Sequence, residues 1–170
     1  MYGCCAKIFR EKFFDSIHAD ECSVEIRKTT IKTWFKPSLM LRAAGGKIGK
    51  HKHNITVHLW GGISRRGLTN LVIFEGRMDS IGFQSILTAG LIPFIRDKYP
   101  DGHRLFQDGD PKHTSYSSKR FMVMNGINNY PMPPESPDLN PIELVWNDLK
   151  YYMCTHIQPS TKNELISGIR

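Results

Sequence analysis

Long apolar runs are missing from this sequence, and so is a recognisable leader. No apolar stretch approaches the roughly 18 residues that a membrane-spanning helix needs. The first residues mix Lys7, Arg10, Glu11 and Lys12 with apolar side chains, where a signal peptide would have an unbroken apolar stretch. These absences predict a soluble protein that is not secreted.

Cysteine pairs and repeats are missing too. Cys4, Cys5, Cys22 and Cys154 form no C-x-x-C pair and have no histidines at matching spacing, which excludes a recognisable zinc module or disulfide framework. We expect reduced thiols in an intracellular protein. The 170 residues, 40% of them hydrophobic and without repeats or low-complexity tracts, predict one domain over residues 1–170.

Acidic side chains are absent from residues 27–66, and this absence defines a basic block. The chain carries +7 overall and the block carries +10, which leaves −3 for the remainder. Its cations are Arg27, Lys28, Lys32, Lys36, Arg42, Lys47, Lys50, Lys52, Arg65 and Arg66. Such a block predicts sequence-independent DNA binding, because cations that neutralise phosphates release counterions. A solvated basic loop is the alternative. Residues 27–54 lack periodicity and predict a loop or arm.

Hydrophobic periodicity outlines the remaining elements. Alternating or continuous apolar residues predict strands at 13–26, 55–64, 71–75, 104–107 and 127–130, the third buried on both faces. A helix begins at Asp79 and is expected to kink or split at Pro93. Thr114 or Ser115 caps a helix that stops at Asn125-Gly126, and Thr161 caps a last one.

Asn140 and Pro141 are typical of a helix start. Asn140 can cap free N–H groups with its side chain, and proline at the first helical position has no N–H to leave unpaired. Glu143 then lies in the first turn. Four apolar residues at helical spacing predict a core-facing stripe, with Glu143 at its rim: Ile142, Trp146, Leu149 and Met153.

Four carboxylates lie inside or next to apolar segments, where a charge requires a partner. Asp20 and Glu21 interrupt an otherwise apolar strand, where desolvation is costly unless something pairs with them. Asp108 follows the fourth strand directly, and 34 residues separate it from Glu143. A strand end and a helix's first turn can converge on one metal site.

These residues resemble the motifs of the Tc/mariner superfamily of DDE transposases, in its Tc-type branch. The similar segments are Ile17 to Ser23 around Asp20, Gln107 to His113 around Asp108, Ser136 to Glu143, and the Trp60-Gly61-Gly62-Ile63-Ser64 strand. The 34-residue interval also matches that branch. The resemblance implies that Asp20, Asp108 and Glu143 are the catalytic residues, with Glu21 as a non-ligand neighbour on the opposite face of the strand.

The order of elements is that of a ribonuclease H-like fold. This α/β class has a mixed five-stranded sheet, three strands antiparallel and two more parallel, flanked by helices. Strands one and four are neighbours in it. Asp20 and Asp108 are therefore expected side by side, with Glu143 reaching across from its helix.

Three converging carboxylates require a cation, because their charges repel one another. An oxygen-only ligand set selects Mg²⁺ or Mn²⁺, and two such ions could activate a water or a 3′-hydroxyl and stabilise the leaving oxygen of a phosphodiester. That chemistry is a phosphoryl-transfer nuclease. The resemblance extends the expectation to DNA cleavage and strand transfer in transposition and integration.

Two departures from the family pattern matter. The first is Asp110, which stands where the family more often has alanine and is therefore a rival second ligand. His113, nearby, matches a motif histidine that either supports the site or holds the turn. The family's N-terminal helix-turn-helix modules resemble nothing in this chain, so we expect a truncated copy.

The resemblance also sets expectations about partners and place. It implies DNA as partner (transposon ends and target, bound non-specifically through this domain), allows a homodimer, and implies a nuclear protein. Two alternatives stay open: a catalytically silent, transposon-derived remnant that binds DNA, and another ribonuclease H-like nuclease.

Overall fold

The computed structural model describes residues 15–26, 55–131 and 140–170. The strands are β1 (Ser16–Glu25), β2 (Thr56–Ser64), β3 (Gly67–Leu68), β4 (Val72–Phe74), β5 (Arg104–Gln107) and β6 (Asn129–Pro131). The helices are α1 (Ser80–Ile86), α2 (Ile92–Lys98), α3 (Pro111–Thr114), α4 (Tyr116–Met124), α5 (Ile142–Tyr152) and α6 (Lys162–Ile169). π-helical segments join α1 to α2 (Leu87–Leu91) and extend α5 (Met153–Ile157). The expected arm at 27–54 lies outside the described residues.

The sheet has the expected mixed order, β3-β2-β1-β5-β6, with β4 also paired to β2. β1 runs antiparallel to β2 and parallel to β5, and β5 runs parallel to β6. The first and fourth predicted strands are therefore neighbours. This arrangement brings the carboxyl ends of β1 and β5 to the same edge of the sheet.

The third predicted strand differs from expectation in two ways. It is shortened to β4, and an additional two-residue strand, β3, precedes it. Residues 69–71 bulge between β3 and β4 opposite Gly61 and Gly62, because Ile63 pairs with Leu68 whereas Trp60 pairs with Val72. The Thr69 hydroxyl accepts the Gly62 N–H at 2.8 Å, which satisfies a donor that the bulge removes from the ladder. Within the described residues the sheet thus has six strands, where five were predicted.

The prediction that this strand is buried on both faces is wrong. All three residues of β4 are only half-buried, and Leu71 is exposed. Within the described residues β4 pairs with β2 alone, so it is an edge strand with one side open.

Pro93 splits its helix, as predicted. It lies near the start of α2, after the π-helical segment, and cannot donate a hydrogen bond to the carbonyl of Ala89. The Asn70 side-chain amide donates to that carbonyl instead, at 3.3 Å. Gly90 in the same segment lies against the Trp60 ring, where an added Cβ would be 2.6 Å from a ring carbon.

Two apolar cores form, one on each face of the sheet. The first joins Trp60 of β2 to α1, α2 and α4, and the second joins Leu59 of β2 to α5 and α6. Of the predicted α5 stripe, Ile142, Trp146 and Met153 are buried and Leu149 is partly buried. No helix among the described residues is long and apolar enough to cross a membrane.

The start of α5 is a correction. The helix begins at Ile142 and has no side-chain cap, so the prediction that the Asn140 side chain caps it is wrong. Asn140 is buried and contributes its carbonyl, which accepts the Glu143 N–H at 3.1 Å. Thr161 does cap α6, and Ser115, not Thr114, caps α4.

Candidate active site

Asp20 and Glu143 meet on the α5 side of the sheet. Both are half-buried, and their side chains lie within hydrogen-bonding reach of each other. Glu143 reaches this position because Trp146, one turn further along α5, packs its ring against Gly61, the β2 partner of Asp20. An added Cβ on Gly61 would be 3.0 Å from that ring, so the glycine permits the close approach of helix and sheet.

The pKa of Asp20 records this crowding. Burial raises it most, the Glu143 carboxyl and the Glu21 charge raise it further, and the Glu21 N–H, which donates to Asp20 Oδ1 at 2.8 Å, lowers it. The result is a pKa of about 7. Two carboxyl groups in contact cannot both ionise easily unless a cation is present.

Asp108 lies at the level of Asp20 on the neighbouring strand. Ser16 pairs with Arg104 and His18 with Phe106, and the same offset leads from Asp20 to Asp108, just beyond β5. Its side chain is 57% exposed, and His113 Nδ1 lies 2.6 Å from Oδ1. The hydrogen bond from His113 lowers the pKa of Asp108.

His113 links this carboxylate to Glu21. The ring is 2% exposed and packs on Phe83 at 4.3 Å between centroids. Its Nε2 lies 3.0 Å from Glu21 Oε1. Burial acts to lower the pKa of His113, but the hydrogen bonds to Asp108 and Glu21 outweigh it and raise the pKa to about 9.

Asp110, the rival second ligand, is engaged elsewhere. Its Oδ2 pairs with Lys112 Nζ at 2.8 Å, and its Oδ1 accepts the Lys112 N–H at 3.0 Å as the cap of α3. Lys112 Nζ also reaches Glu21 Oε2 at 3.3 Å. Asp110 therefore contributes to the turn and to this ion-pair network.

The three expected catalytic residues are thus only partly assembled. Asp20 and Glu143 are in contact, and Asp108 is level with Asp20 but bound to His113. Across residues 15–26, 55–131 and 140–170, no three Asp, Glu, His or Cys side chains converge closely enough to hold a metal ion as they stand. The Asp20–Glu143 pair nevertheless fits a hard cation, because it offers oxygen donors and a repulsion that a cation would relieve.

Sequence reasoning missed two residues of this network, Glu21 and Lys112. Glu21 was expected to be a bystander on the opposite face, and it does lie there. Its partner His113 stands 92 residues away along the chain, so only the packing of α3 against β1 reveals the contact. The sequence did offer one signal: the desolvation cost of two adjacent acidic residues inside an apolar strand indicates that each needs a partner.

The predicted DNA-binding residues fall into two groups. Lys28, Lys32, Lys36, Arg42, Lys47, Lys50 and Lys52 lie outside the described residues. Arg66 lies over the Tyr99 ring at 4.4 Å, donates to the Lys98 carbonyl at 2.5 Å and pairs with Asp15 at 3.3 Å. Arg65 and Arg66 follow the end of β2 that pairs with the start of β1, so Arg66 lies away from the strand ends that carry Asp108.

A cleft of about 750 Å³ opens on the side of the sheet opposite the Asp20–Glu143 pair. Glu21, Asp110 and Lys112 form one wall, while the other includes Phe74 and Arg77. The cleft therefore borders the His113 network and not the carboxylate pair.

Comparison with protein families decides what kind of chain this is. Residues 15–166 match the family model described as DDE superfamily endonuclease. The chain belongs to this family. The match includes Asp20, Asp108 and Glu143.

Nematode transposases are similar in sequence. The chain is 34% identical over 95 residues to the Tcb1 transposase of Caenorhabditis briggsae (56% of this chain, 35% of the relative). It is 27% identical over 152 residues to the Tcb2 transposase of the same species (85% and 54%) and 31% identical over 94 residues to the Tc3 transposase of Caenorhabditis elegans (55% and 29%). The chain thus spans about half or less of the length of these relatives.

Solved structures confirm the ribonuclease H-like α/β fold. A Mos1 transposase paired-end complex with the left transposon end superposes with a TM-score of 0.61 at 14% identity, covering 97% of this chain and 55% of that one. The Mos1 catalytic domain with raltegravir and Mg gives a TM-score of 0.55 at 15% identity, covering 96% and 81%. At these identities the likeness shows the fold.

Proposed function

We propose that this chain is a DDE transposase catalytic domain that cleaves and transfers DNA strands with the help of divalent cations. Asp20, Asp108 and Glu143 are the catalytic residues. The observation that carries the proposal is the geometry of the carboxyl groups: Glu143 of α5 lies close enough to Asp20 of β1 to raise its pKa, and Asp108 is level with Asp20 on the neighbouring strand.

Asp20 and Glu143 would hold the cation, joined by Asp108 from the adjacent strand end. Bound Mg²⁺ or Mn²⁺, expected as two ions, supplies activation of a water or 3′-hydroxyl and stabilisation of the leaving oxygen. The chain's own part is to keep the donors at one edge of the sheet: β1 and β5 fix the two aspartates in register, and Trp146 holds Glu143 over Asp20.

DNA is the proposed partner. The Mos1 neighbours include complexes with transposon ends, and the basic block supplies ten cations with no acidic side chain among them. Binding through the cations of this block other than Arg66, which is tied to Tyr99 and Asp15, is independent of base sequence and weakens with salt. The logarithmic slope is expected near −0.9 per phosphate contacted. Action on chromosomal DNA makes the nucleus the proposed compartment.

Calorimetric titration with Mn²⁺ tests the site. Wild-type protein gives a binding signal that Asp108→Asn and Glu143→Gln each reduce, and supercoiled plasmid is nicked in Mn²⁺ by wild type but not by Asp20→Asn. Glu164→Gln and Asp97→Asn change exposed acids of the same types and serve as matched controls. Unchanged Mn²⁺ binding in the Asp108→Asn, Glu143→Gln double variant, or nicking by Asp20→Asn, contradicts the assignment.

One observation favours a second function, that of a catalytically silent DNA-binding remnant. Asp108 is held by His113, and the described residues form no ready three-ligand cluster. This alternative predicts salt-sensitive DNA binding with no Mn²⁺ signal and no nicking. The same titration therefore separates the two functions.

A further inference from the structure

The neighbour of Asp20 on β1 has a role of its own. Glu21 faces the α3 side of the sheet, where its carboxylate contacts His113 through Oε1 at 3.0 Å and Lys112 through Oε2 at 3.3 Å. Its side chain is only 20% exposed. A half-buried carboxylate with both oxygens engaged is a fixed point in the structure, since rotation would break two ionic contacts at once.

His113 connects the Glu21 carboxylate to the Asp108 carboxylate. Nε2 faces a Glu21 oxygen and Nδ1 faces an Asp108 oxygen at 2.6 Å, so each nitrogen donates a proton to a group that can only accept. The ring is 2% exposed and lies against Phe83. It is therefore confined from both ends and from one face.

The orientation of Asp108 follows from these contacts. Among the described residues, both hydrogen bonds to its carboxylate go to Oδ1, from His113 Nδ1 and, at 3.3 Å, from the Asp110 N–H. Oδ2 remains as the oxygen that can bind a cation. Asp108 is otherwise exposed and follows the end of β5, where a carboxylate without this support would sample several rotamers.

We propose that Glu21 and His113 are positioning residues. Glu21 on β1 fixes the His113 ring, and His113 orients the exposed Asp108 carboxylate so that it can bind a divalent cation. The proposal rests on the proposed function, whose metal site it deepens. Partners of this kind, which hold a metal ligand from behind, typically contribute tenfold to hundredfold in metal affinity.

A purely structural ion pair predicts something different. It would stabilise the packing of α3 against β1, so its loss would lower the melting temperature without changing how the folded protein binds metal. The two roles separate when Mn²⁺ affinity is measured well below the melting temperature of each variant.

Glu21→Leu, Glu21→Gln and Glu25→Gln form a matched set. Glu25 lies on the same face of β1 but is exposed. In Mn²⁺ titrations the Glu21→Leu protein is expected to bind the ion about tenfold more weakly than wild type. The Glu21→Gln protein should recover most of that loss, because its amide oxygen still accepts the hydrogen bond from His113 Nε2. The Glu25→Gln protein should bind Mn²⁺ as wild type does. Affinity of Glu21→Leu within twofold of wild type overturns the proposal.

A metal-free measurement keeps this test apart from the proposed function. Imidazole ¹H–¹⁵N spectra of wild type are expected to show both ring protons of His113 protected from exchange, and the Asp108 carboxyl ¹³C signal is expected to shift in Glu21→Leu but not in Glu25→Gln. If wild type binds no Mn²⁺ while these signals behave as expected, the proposed function fails and the coupling stands. An Asp108 signal unmoved by Glu21→Leu overturns the coupling.

Discussion

On the α5 side of the sheet Asp20 and Glu143 hold two carboxyl groups against each other, whereas on the α3 side Asp108 and Glu21 hold one imidazole between them. The first pair has like charges, and the pKa of Asp20 is raised to about 7. The second has a buried cation of its own, and the pKa of Asp108 is lowered. The fold therefore satisfies the charges of the α3 side internally and leaves the α5 side in need of a cation. Without metal, removal of a charge should destabilise the protein on the α3 side and stabilise it on the α5 side.

Trp146→Ala should have the largest effect of the substitutions considered, because it removes the ring that packs α5 against the sheet. The ring is 3% exposed and fills the space over Gly61, so its loss leaves a cavity and should lower the free energy of unfolding by about 3–5 kcal/mol. Urea unfolding measures this. Tyr151→Ala on the exposed face of α5 is the control and should stay within about 0.5 kcal/mol of wild type. A comparable loss in both variants would contradict the assigned packing.

His113→Gln tests the α3 side. It removes a buried cation from between two carboxylates and should destabilise by about 2–3 kcal/mol, below the usual cost of a broken buried pair because Asp108 is largely exposed. The pKa of His113 is raised from 6.5 to about 9, so the stability it contributes is fully present below pH 6.5 and is lost as the pH rises through 9. The difference from wild type should therefore be largest near pH 6 and shrink towards pH 10. A difference that grows with pH would rule out this account.

Asp20→Asn should have the opposite sign. In metal-free buffer at pH 8 it should stabilise the protein by roughly 1–2 kcal/mol, less than the full shift implies because the half-buried carboxyl is partly screened. Since the folded pKa of about 7 lies above the ordinary 3.8, the advantage should be absent below pH 4, grow up to pH 7 and then level off.

Thermal melts with and without Mn²⁺ measure both the stability of the metal-free protein and the stability gained from the ion. Wild type should gain stability from Mn²⁺ at pH 8, and Asp20→Asn should gain little. Asp97→Asn, an exposed aspartate on α2, should behave as wild type in both buffers. Destabilisation by Asp20→Asn in metal-free buffer would mean that the Asp20 charge is already satisfied within the fold.

Arg66→Ala should have the smallest effect and sharpens the difference between structural and DNA-binding cations. Arg66 stacks on Tyr99 and pairs with Asp15, and both contacts are partly exposed, so the loss should be about 0.5–1 kcal/mol. Chemical denaturation measures it. The salt slope of DNA binding should stay unchanged, because Arg66 lies away from the strand ends that carry Asp108. A slope reduced by about one unit would make Arg66 a phosphate contact.

Much of the fold and the candidate site could be predicted from local signals. Strand alternation located β1, β2 and β5, and the Pro93 break was visible because proline acts on its own helix. Asp20, Asp108 and Glu143 each lie next to an apolar segment, and the resemblance of their motifs to the family predicted them as the catalytic set. The prediction that the Asn140 side chain caps α5 was wrong, because the tertiary structure buries Asn140, and burial is not visible in the local sequence.

What the sequence by itself determined is the order of the elements, the two apolar stripes that cover the sheet, and the three carboxylates at their edges. Only the tertiary structure decided that β3 and β4 are separated by a bulge, that Arg66 is tied to Tyr99, and that Glu21 holds Asp108 through His113. The reason is physical. Periodicity and capping act within a few residues, whereas an ion pair between residues 92 positions apart depends on how α3 packs against β1, which local sequence does not encode.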